Sequence, residues 1–260
     1  MRGGDGEGLN EDPETALPLD GSSHGREPQA PRTTQEPMKR ASVIIRTKNE
    51  ARSIGATLDA VFSQSIPPHE VFIIDSGSRD QTLQIASRYP VKLLTMSPKG
   101  WSYPRALNFG AREAAGEFLV CLSAHSPPVD EHWLENLLGH FDDPSIAAVW
   151  GPRHPNAAAK SGLVRQEKGS YTVEAPQYGL SNHNSALRRS LWLAFPFDEA
   201  LPAAEDKGWG QEAMARGYSI VYEPAAAVLH GRHRALNEFR RSRAIRAGYR
   251  ILFPELRLST

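Results

Sequence analysis

The apolar residues of this chain fall into short unbroken runs, separated by segments in which apolar and polar residues alternate at helical spacing. Runs at 43–45, 71–74 and 118–122 leave no polar face for water, so each is predicted to be a strand covered on both sides. Between the first two runs, apolar residues recur at helical spacing over 54–62, and two prolines end the pattern. This order of elements predicts a parallel α/β sheet.

The rest of the chain continues the same alternation. Further strands are predicted at 91–94, 147–150 and 218–224, and further helices at 82–88, 105–115, 133–138 and 209–216. Residues 155–177 show weak periodicity, and their structure is not predicted. The expected fold class is a single Rossmann-like α/β domain with a mostly parallel central sheet and flanking helices.

Polar side chains follow the first two predicted strands. Thr47 and Asn49 come after the first, and Asp75 and Ser76 end the second. Because the carboxyl ends of parallel strands meet at one edge of a sheet, these residues are expected to line a crevice suited to a nucleoside. The Asp75 carboxylate can accept hydrogen bonds from a base imide or from ribose hydroxyls. The alternative is structural, because Asp before Ser-Gly-Ser also forms a turn and caps a helix.

The central apolar run also ends on polar residues, Ser123 and His125, and two prolines follow. A hydroxyl and an imidazole therefore stand at the carboxyl end of a central strand, where open α/β sheets bind ligands. The alternative is a loop histidine without a ligand. Arg105, near the start of the helix predicted before this strand, is expected close to the crevice, where it can meet a diphosphate.

Thirty basic and thirty acidic residues give the 260-residue chain a formal net charge of zero, so no overall attraction to nucleic acid is expected. The single cysteine, Cys121, lies inside an apolar run and excludes an internal disulfide, which favours a reducing compartment. No apolar run approaches the length of a membrane span. The expected location is cytoplasmic, with peripheral contact at the inner membrane face as an option.

Composition divides the chain into three parts. Residues 1–37 are rich in Gly, Pro, Glu, Ser and Gln and are predicted to be a disordered tail. Residues 38–230 are the predicted α/β domain, and 231–260 contain eight arginines among apolar residues, which predicts a basic helical extension packed on the domain. Three interpretations of the extension stay open. It is a lid in which Arg232 contacts a diphosphate, a segment that binds anionic lipid, or a helix whose basic face is simply solvated.

Four sequence motifs occur in order: SVII…NE at 42–50, IIDSGS…D at 73–80, NxG…AxGEFL at 108–119, and a polar triplet at 123–125. Together they resemble the family 2 glycosyltransferases of the GT-A fold. The resemblance implies a GT-A-like domain that transfers a sugar from a nucleoside-diphosphate donor. The acceptor would be a hydroxyl of a sugar, glycan or small molecule, and the anomeric carbon would be inverted.

In that family, the residue corresponding to Asp75 contacts the base and ribose, and a D-x-D triplet on the central strand holds the ribose and a divalent metal. Here the triplet is Ser123-Ala124-His125, which departs from the pattern at both acidic positions. Serine is a poor metal ligand that can bond a ribose, whereas imidazole can ligate a metal. The resemblance also implies that His230 completes the metal or diphosphate site, and two imidazoles favour Mn²⁺ over Mg²⁺.

Glu205 and Asp206 resemble the E-D motif of the same family. An inverting transfer needs a carboxylate that takes the proton of the acceptor hydroxyl while its oxygen attacks the anomeric carbon. The resemblance implies Asp206 as this base and Glu205 as a contact to the acceptor or the diphosphate. The alternative for the pair is stabilisation of a helix N-terminus by acidic side chains.

The missing D-x-D acids keep a rival function open: a nucleotide-binding protein of the same fold without transferase activity. The rival predicts nucleotide binding with no release of nucleoside diphosphate. A nucleotidyltransferase is disfavoured, because it would need acidic metal ligands where this chain has Ser123 and His125.

Overall fold

The computed structural model describes residues 39–158, 162–168, 179–230 and 235–254. The predicted tail at 1–37 lies outside these residues, and so does Arg232. Every helix in the described ranges is too short or too polar to span a bilayer.

The first half of the chain alternates strands and helices, as the apolar pattern predicted. Its elements are β1 (Ala41–Thr47), α1 (Ile54–Phe62), β2 (Glu70–Asp75), α2 (Thr82–Ala86), β3 (Lys92–Thr95), α3 (Tyr103–Glu113) and β4 (Phe118–Ser123). Strands β1, β2 and β4 contain the apolar runs from which they were predicted.

The second half is less regular. Its elements are α4 (Trp133–Leu138), β5 (Ile146–Trp150), α5 (Pro155–Ala158), β6 (Val164–Gln166), β7 (Asn184–Arg188), α6 (Arg189–Ala194), α7 (Glu205–Ala215), β8 (Ser219–Tyr222) and α8 (Ala235–Leu252). The short elements α5 and β6 fall in the segment for which no structure was predicted. Helix α7 begins four residues before the predicted Trp209, so that Glu205 and Asp206 stand in its first turn.

Among the described residues the strands form one sheet of eight, in the order β3-β2-β1-β4-β7-β5-β8-β6. Strands β3, β2, β1 and β4 run parallel, as do β5 and β8. Strand β7 runs antiparallel between β4 and β5, and β6 runs antiparallel to β8. The predicted mostly parallel sheet is confirmed. Its register places Thr47 opposite Asp75 and Arg46 opposite Ser123, so the carboxyl ends of three strands coincide.

Strand β4 is buried along its whole length, and the core lies on both of its faces. Val120 and Leu122 pack in the layer that includes α1 and α4, whereas Leu119 and Cys121 pack in the layer that includes α3 and α7. Burial raises the pKa of the Cys121 thiol to about 12, so this cysteine stays protonated. It is a small core residue, as its position in an apolar run predicted.

The chain leaves β5 through a close backbone approach at Gly151. A Cβ atom on Gly151 would lie 1.9 Å from the carbonyl oxygen of Ala226 and 2.7 Å from Nδ2 of Asn184. The Asn184 side chain donates to that same carbonyl at 2.7 Å and accepts a hydrogen bond from Nε1 of Trp133 at 2.8 Å. Only glycine leaves room for this crossing.

Candidate active site

Two adjoining cavities open at the carboxyl edge of β1, β2 and β4. The larger has a volume of about 640 Å³ and is lined from the strand ends by Thr47, Asn49, Ser76, Ser123 and His125. The sequence predicted that these residues converge, and the structure brings them together. An aromatic wall completes this cavity, because the rings of Trp101 and Tyr103 line it edge to face with centroids 4.7 Å apart.

Asp75 is placed differently. Its side chain is 1% exposed and does not line either cavity. One carboxylate oxygen accepts hydrogen bonds from the amides of Gly77 at 2.8 Å and Ser78 at 2.9 Å, and the other accepts from the Ser78 hydroxyl. The carboxylate therefore closes the turn after β2, which is the structural role weighed as its alternative, and the neighbouring Ser76 faces the cavity.

Arg105 is also turned away from the cavities. It does not line either of them, and its Nε atom lies 3.5 Å from Glu199 Oε2. Arg112, two turns further along α3, pairs with the same carboxylate at 3.0 Å. The structure therefore does not bring Arg105 to the predicted crevice, because the outer face of α3 carries it towards Glu199.

The smaller cavity, of about 100 Å³, lies where α7 begins and is lined by both predicted carboxylates. Asp206 Oδ2 accepts a hydrogen bond from the amide of Asn182 at 3.1 Å, and Oδ1 accepts one from the amide of Lys207 at 2.8 Å. Ala204, just before the helix, has φ 65°, a strained left-handed conformation for alanine. Glu205 and Asp206 thus occupy a helix N-terminus, which was the structural alternative to a catalytic role. They also face a cavity, as a catalytic role requires.

Glu205 is the more buried of the two acids. Burial, and then the charge of Asp206, raise the pKa of Glu205 to about 7, while Arg46 acts in the opposite direction. Its Oε1 atom lies 3.4 Å from Nδ2 of Asn182, which donates to it. This carboxyl group therefore changes protonation state near neutral pH.

The sequence analysis did not single out Arg46, the residue that links the two cavities. Its guanidinium lies 5.1 Å from the centre of the Tyr103 ring, and Nη1 lies 3.5 Å from Glu205 Oε1. Arg46 and Tyr103 line both cavities. The available signal was an arginine at the end of an otherwise apolar strand, beside the predicted crevice.

Lys207 was also missed. Its ammonium group is buried and donates to the carbonyl oxygens of Gly179 at 2.6 Å and Leu180 at 2.7 Å. Burial lowers the pKa of this lysine. The contacts tie the first turn of α7 to the segment that carries Asn182, and so support the geometry around Asp206.

The structure brings together the two histidines proposed as metal ligands. The rings of His125 and His230 have centroids 4.7 Å apart. Nδ1 of His125 lies 3.0 Å from Glu50 Oε1, and Nδ1 of His230 lies 2.7 Å from the Ser126 hydroxyl. Across the described ranges, no group of three or more His, Cys, Asp or Glu side chains is arranged to hold a metal ion.

Helix α8 forms the roof of the site. Ile245 and Tyr249 line the smaller cavity, and Ala244 lines the larger one. A Cβ atom on Gly248 would lie 2.1 Å from the carbonyl oxygen of Ala203, so the helix packs directly on the loop before the acids. Burial, and then the charge of Asp206, raise the pKa of Tyr249 to about 12.

The opposite side of α8 is basic. Its exposed arginines in the part described in full are Arg243, Arg246 and Arg250. They recur at helical spacing and so form one positively charged face, which is complementary to an anionic surface. A contact with anionic lipid through this side stays a prediction.

Residues 42–191 match the family model described as Glycosyl transferase family 2. The chain is 27% identical over 205 residues to the O-antigen chain rhamnosyltransferase RfbN of Salmonella typhimurium, covering 73% of this chain and 65% of that protein. It is 28% identical over 198 residues to the glycosyltransferase AglE of Haloferax volcanii, covering 70% of this chain and 63% of the relative. The chain thus spans slightly less than two thirds of either relative.

Solved structures show the same fold. The mannosyltransferase PcManGT from Pyrobaculum calidifontis, in complex with GDP-Man and Mn²⁺, has a TM-score of 0.66 at 22% identity over 85% of this chain and 66% of its own. The glucosyl-3-phosphoglycerate synthase from Mycobacterium tuberculosis, in complex with Mn²⁺, UDP and phosphoglyceric acid, has a TM-score of 0.64 at 17% identity over 86% of this chain and 80% of its own. With more than half of its length matched by the family model and the GT-A fold shared with these structures, the chain belongs to glycosyl transferase family 2.

Proposed function

We propose that this chain transfers a sugar from a nucleoside-diphosphate donor to a hydroxyl acceptor, with inversion at the anomeric carbon. The observation that carries the proposal is the pair of carboxylates in the first turn of α7. They line a small cavity that shares Arg46 and Tyr103 with the larger cavity at the strand ends. A base and a donor site therefore adjoin, as a direct displacement requires.

The larger cavity is the proposed donor site. Its volume of about 640 Å³ falls within the roughly 300–1,000 Å³ typical of small-molecule sites. The side chains of Thr47, Asn49, Ser76 and Ser123 offer hydrogen bonds to the base and ribose, and the aromatic wall offers a stacking surface. Asp75 would act indirectly, by closing the turn that presents Ser76.

Asp206 is the proposed base, with Glu205 beside it as a contact to the acceptor or the diphosphate. As the acceptor oxygen attacks the anomeric carbon, its proton passes to the Asp206 carboxylate and the bond to the diphosphate oxygen breaks. Asp206 is only partly buried, whereas Glu205 is buried and lies against Arg46. Asp206 is therefore the more accessible of the two acids to an entering hydroxyl.

The test is a turnover screen. We expect the protein to release nucleoside diphosphate from one member of a panel of UDP-, GDP- and dTDP-sugars when hydroxyl acceptors are present. The anomeric configuration of the product, read by NMR, should be opposite to that of the donor. A retained configuration would contradict the proposed displacement. Tight binding of a donor without any release would favour the rival, a nucleotide-binding protein.

A divalent metal is the proposed cofactor, held by His125 and His230. Two imidazoles are too few to hold an ion alone, so a metal held by His125 and His230 would need further ligands from the bound donor. When bound, such an ion would neutralise negative charge on the leaving diphosphate. Imidazole nitrogens suit Mn²⁺ better than Mg²⁺.

We expect EDTA to lower turnover by at least about tenfold, since unscreened charge on the leaving group raises the barrier. Added Mn²⁺ should restore more turnover than Mg²⁺, and His230→Gln should prevent this restoration. His132→Gln is the control, because His132 is an exposed surface histidine paired with Glu135. Full turnover in chelator would contradict the proposed metal cofactor. Arginine side chains would then have to neutralise the charge on the leaving diphosphate.

A further inference from the structure

Arg46 stands at the boundary of the two cavities and lines both of them. Its side chain is only 14% exposed, and the Tyr103 ring supports one face of the guanidinium. A guanidinium is the group whose planar fork matches two oxygens of a phosphate. Arg46 is therefore placed where a diphosphate in the larger cavity would meet the acids in the smaller one.

The polar contacts of the Arg46 guanidinium with neighbouring residues are long. Nη2 lies 3.4 Å from the Asn182 carbonyl oxygen, and Nη1 lies 3.5 Å from Glu205 Oε1. Charge-assisted hydrogen bonds are usually about 2.7–2.9 Å long. Nη1 is buried and makes no hydrogen bond with any residue in the described ranges. An anion that enters beside it would complete its hydrogen bonding and compete with Glu205 for its charge.

We infer that Arg46 binds the diphosphate of the donor in place of Glu205, and that Glu205 takes up a proton from solvent as the donor binds. The inference rests on the proposed function, because it assumes that the larger cavity takes a nucleoside-diphosphate sugar. It adds a diphosphate contact that the sequence motifs did not indicate, and it couples donor binding to the protonation of one acid.

The charges around Glu205 give the direction of the coupling. Burial and the neighbouring Asp206 favour its protonated form, and Arg46 on β1 opposes them. Among the described residues, the other titratable groups that face this cavity or its floor are Lys207, Arg153, His183, Tyr103, Tyr249 and Cys121. Arg46 is the largest of the influences that favour the Glu205 carboxylate, ahead of the hydrogen bond from Asn182. A diphosphate on Arg46 weakens that influence and adds further negative charge, so the proton is bound.

In each molecule whose Glu205 is ionised before the donor binds, the step forms one O–H bond on Glu205 and consumes one proton from solvent. The neutral carboxyl can then donate a hydrogen bond to a diphosphate oxygen, whereas the carboxylate could only repel it. When the nucleoside diphosphate leaves, Arg46 returns to Glu205 and the proton returns to solvent. Asp206 stays available as the base throughout.

The coupling can be measured by titration calorimetry at pH 7.5 in buffers of different ionisation enthalpy. UDP-glucose, UDP-GlcNAc, GDP-mannose and dTDP-glucose serve as donors, because their diphosphates are diesters with no proton to lose near neutral pH. If the Glu205 pKa rises by about one unit from about 7, the wild-type protein takes up about half a proton per donor bound.

Variants separate the two partners. Arg46→Met should weaken donor binding at least tenfold and remove the proton uptake, and Arg46→Lys should recover part of the affinity. Glu205→Gln should bind the donor at least as tightly as wild type with no uptake. Glu212→Gln is the matched control, since Glu212 lies on the same helix, exposed and paired with Arg216.

Donor binding with uptake below about a tenth of a proton would overturn the inference alone and leave the transferase proposal standing. The same holds if the uptake persists in Glu205→Gln, a test that does not depend on Arg46→Met folding. Unchanged donor affinity in a folded Arg46→Met protein would show that Arg46 does not bind the diphosphate. It would also overturn the inference and leave Arg46 only as a partner of Glu205. Failure of every donor to bind would overturn both proposals.

Discussion

Replacing Asp206 by Asn is expected to lower turnover by about 10²–10⁴-fold, the range that a general base contributes. Asparagine keeps the shape and an oxygen that can accept the Asn182 amide, so the start of α7 should stay intact. It cannot take a proton from the acceptor hydroxyl at neutral pH. Donor affinity, measured by calorimetry, should change by no more than a few-fold, because Asp206 lies in the smaller cavity.

The control for this substitution is Asp59→Asn. Asp59 is exposed on α1, where its carboxylate accepts a hydrogen bond from the Tyr89 hydroxyl at 2.8 Å, and asparagine retains an acceptor there. This variant should turn over like the wild type. Undiminished turnover by the Asp206 variant would show that Asp206 is not the base. Its two hydrogen bonds would then only stabilise the N-terminus of the helix.

Gly151→Ala is expected to destabilise the fold by about 3 kcal/mol or more, because its Cβ would meet a backbone carbonyl that cannot turn aside. The crossing at Gly151 involves Ala226 and Asn184, and Asn184 also bonds the buried Trp133. For a domain of this size the midpoint of thermal unfolding should fall by roughly 6–12 °C. Urea unfolding at constant pH measures the free energy directly.

Gly139→Ala provides the comparison, since a Cβ atom on Gly139 meets nothing within 4 Å. That variant should be as stable as the wild type or more stable by up to about 1 kcal/mol, because Gly139 has right-handed helical backbone angles that alanine favours. Equal stability of the two variants would mean that the backbone at 151 and 226 can separate without cost, and the close approach would then carry no weight in the fold.

The parts of the fold that sequence reasoning predicted are those set by local pattern. The run at 118–122 became the buried strand β4, because five apolar residues in a row can only be satisfied by cover on both faces. The antiparallel insertion of β7 between β4 and β5 was not predicted. Strand order depends on pairings between distant segments. The residue pattern at 184–188 does not indicate which strands β7 pairs with.

The site was predicted unevenly for a related reason. Thr47, Asn49 and Ser123 converge because parallel strands end at one edge of the sheet. Asp75 and Arg105 do not face the cavities, because the direction of a side chain depends on local hydrogen bonds and on the helix face that carries it. Neither direction can be derived from residue type and position in the chain alone.

The central place of β7 has a consequence for how the chain folds. Strands β1 to β4 precede it and can pair among themselves, but until β7 arrives they leave one edge of β4 open. An open edge on a strand with five consecutive apolar residues is a template for pairing with other chains. A fragment that ends before residue 184 therefore exposes this edge, and aggregation rather than a smaller folded domain is its expected fate.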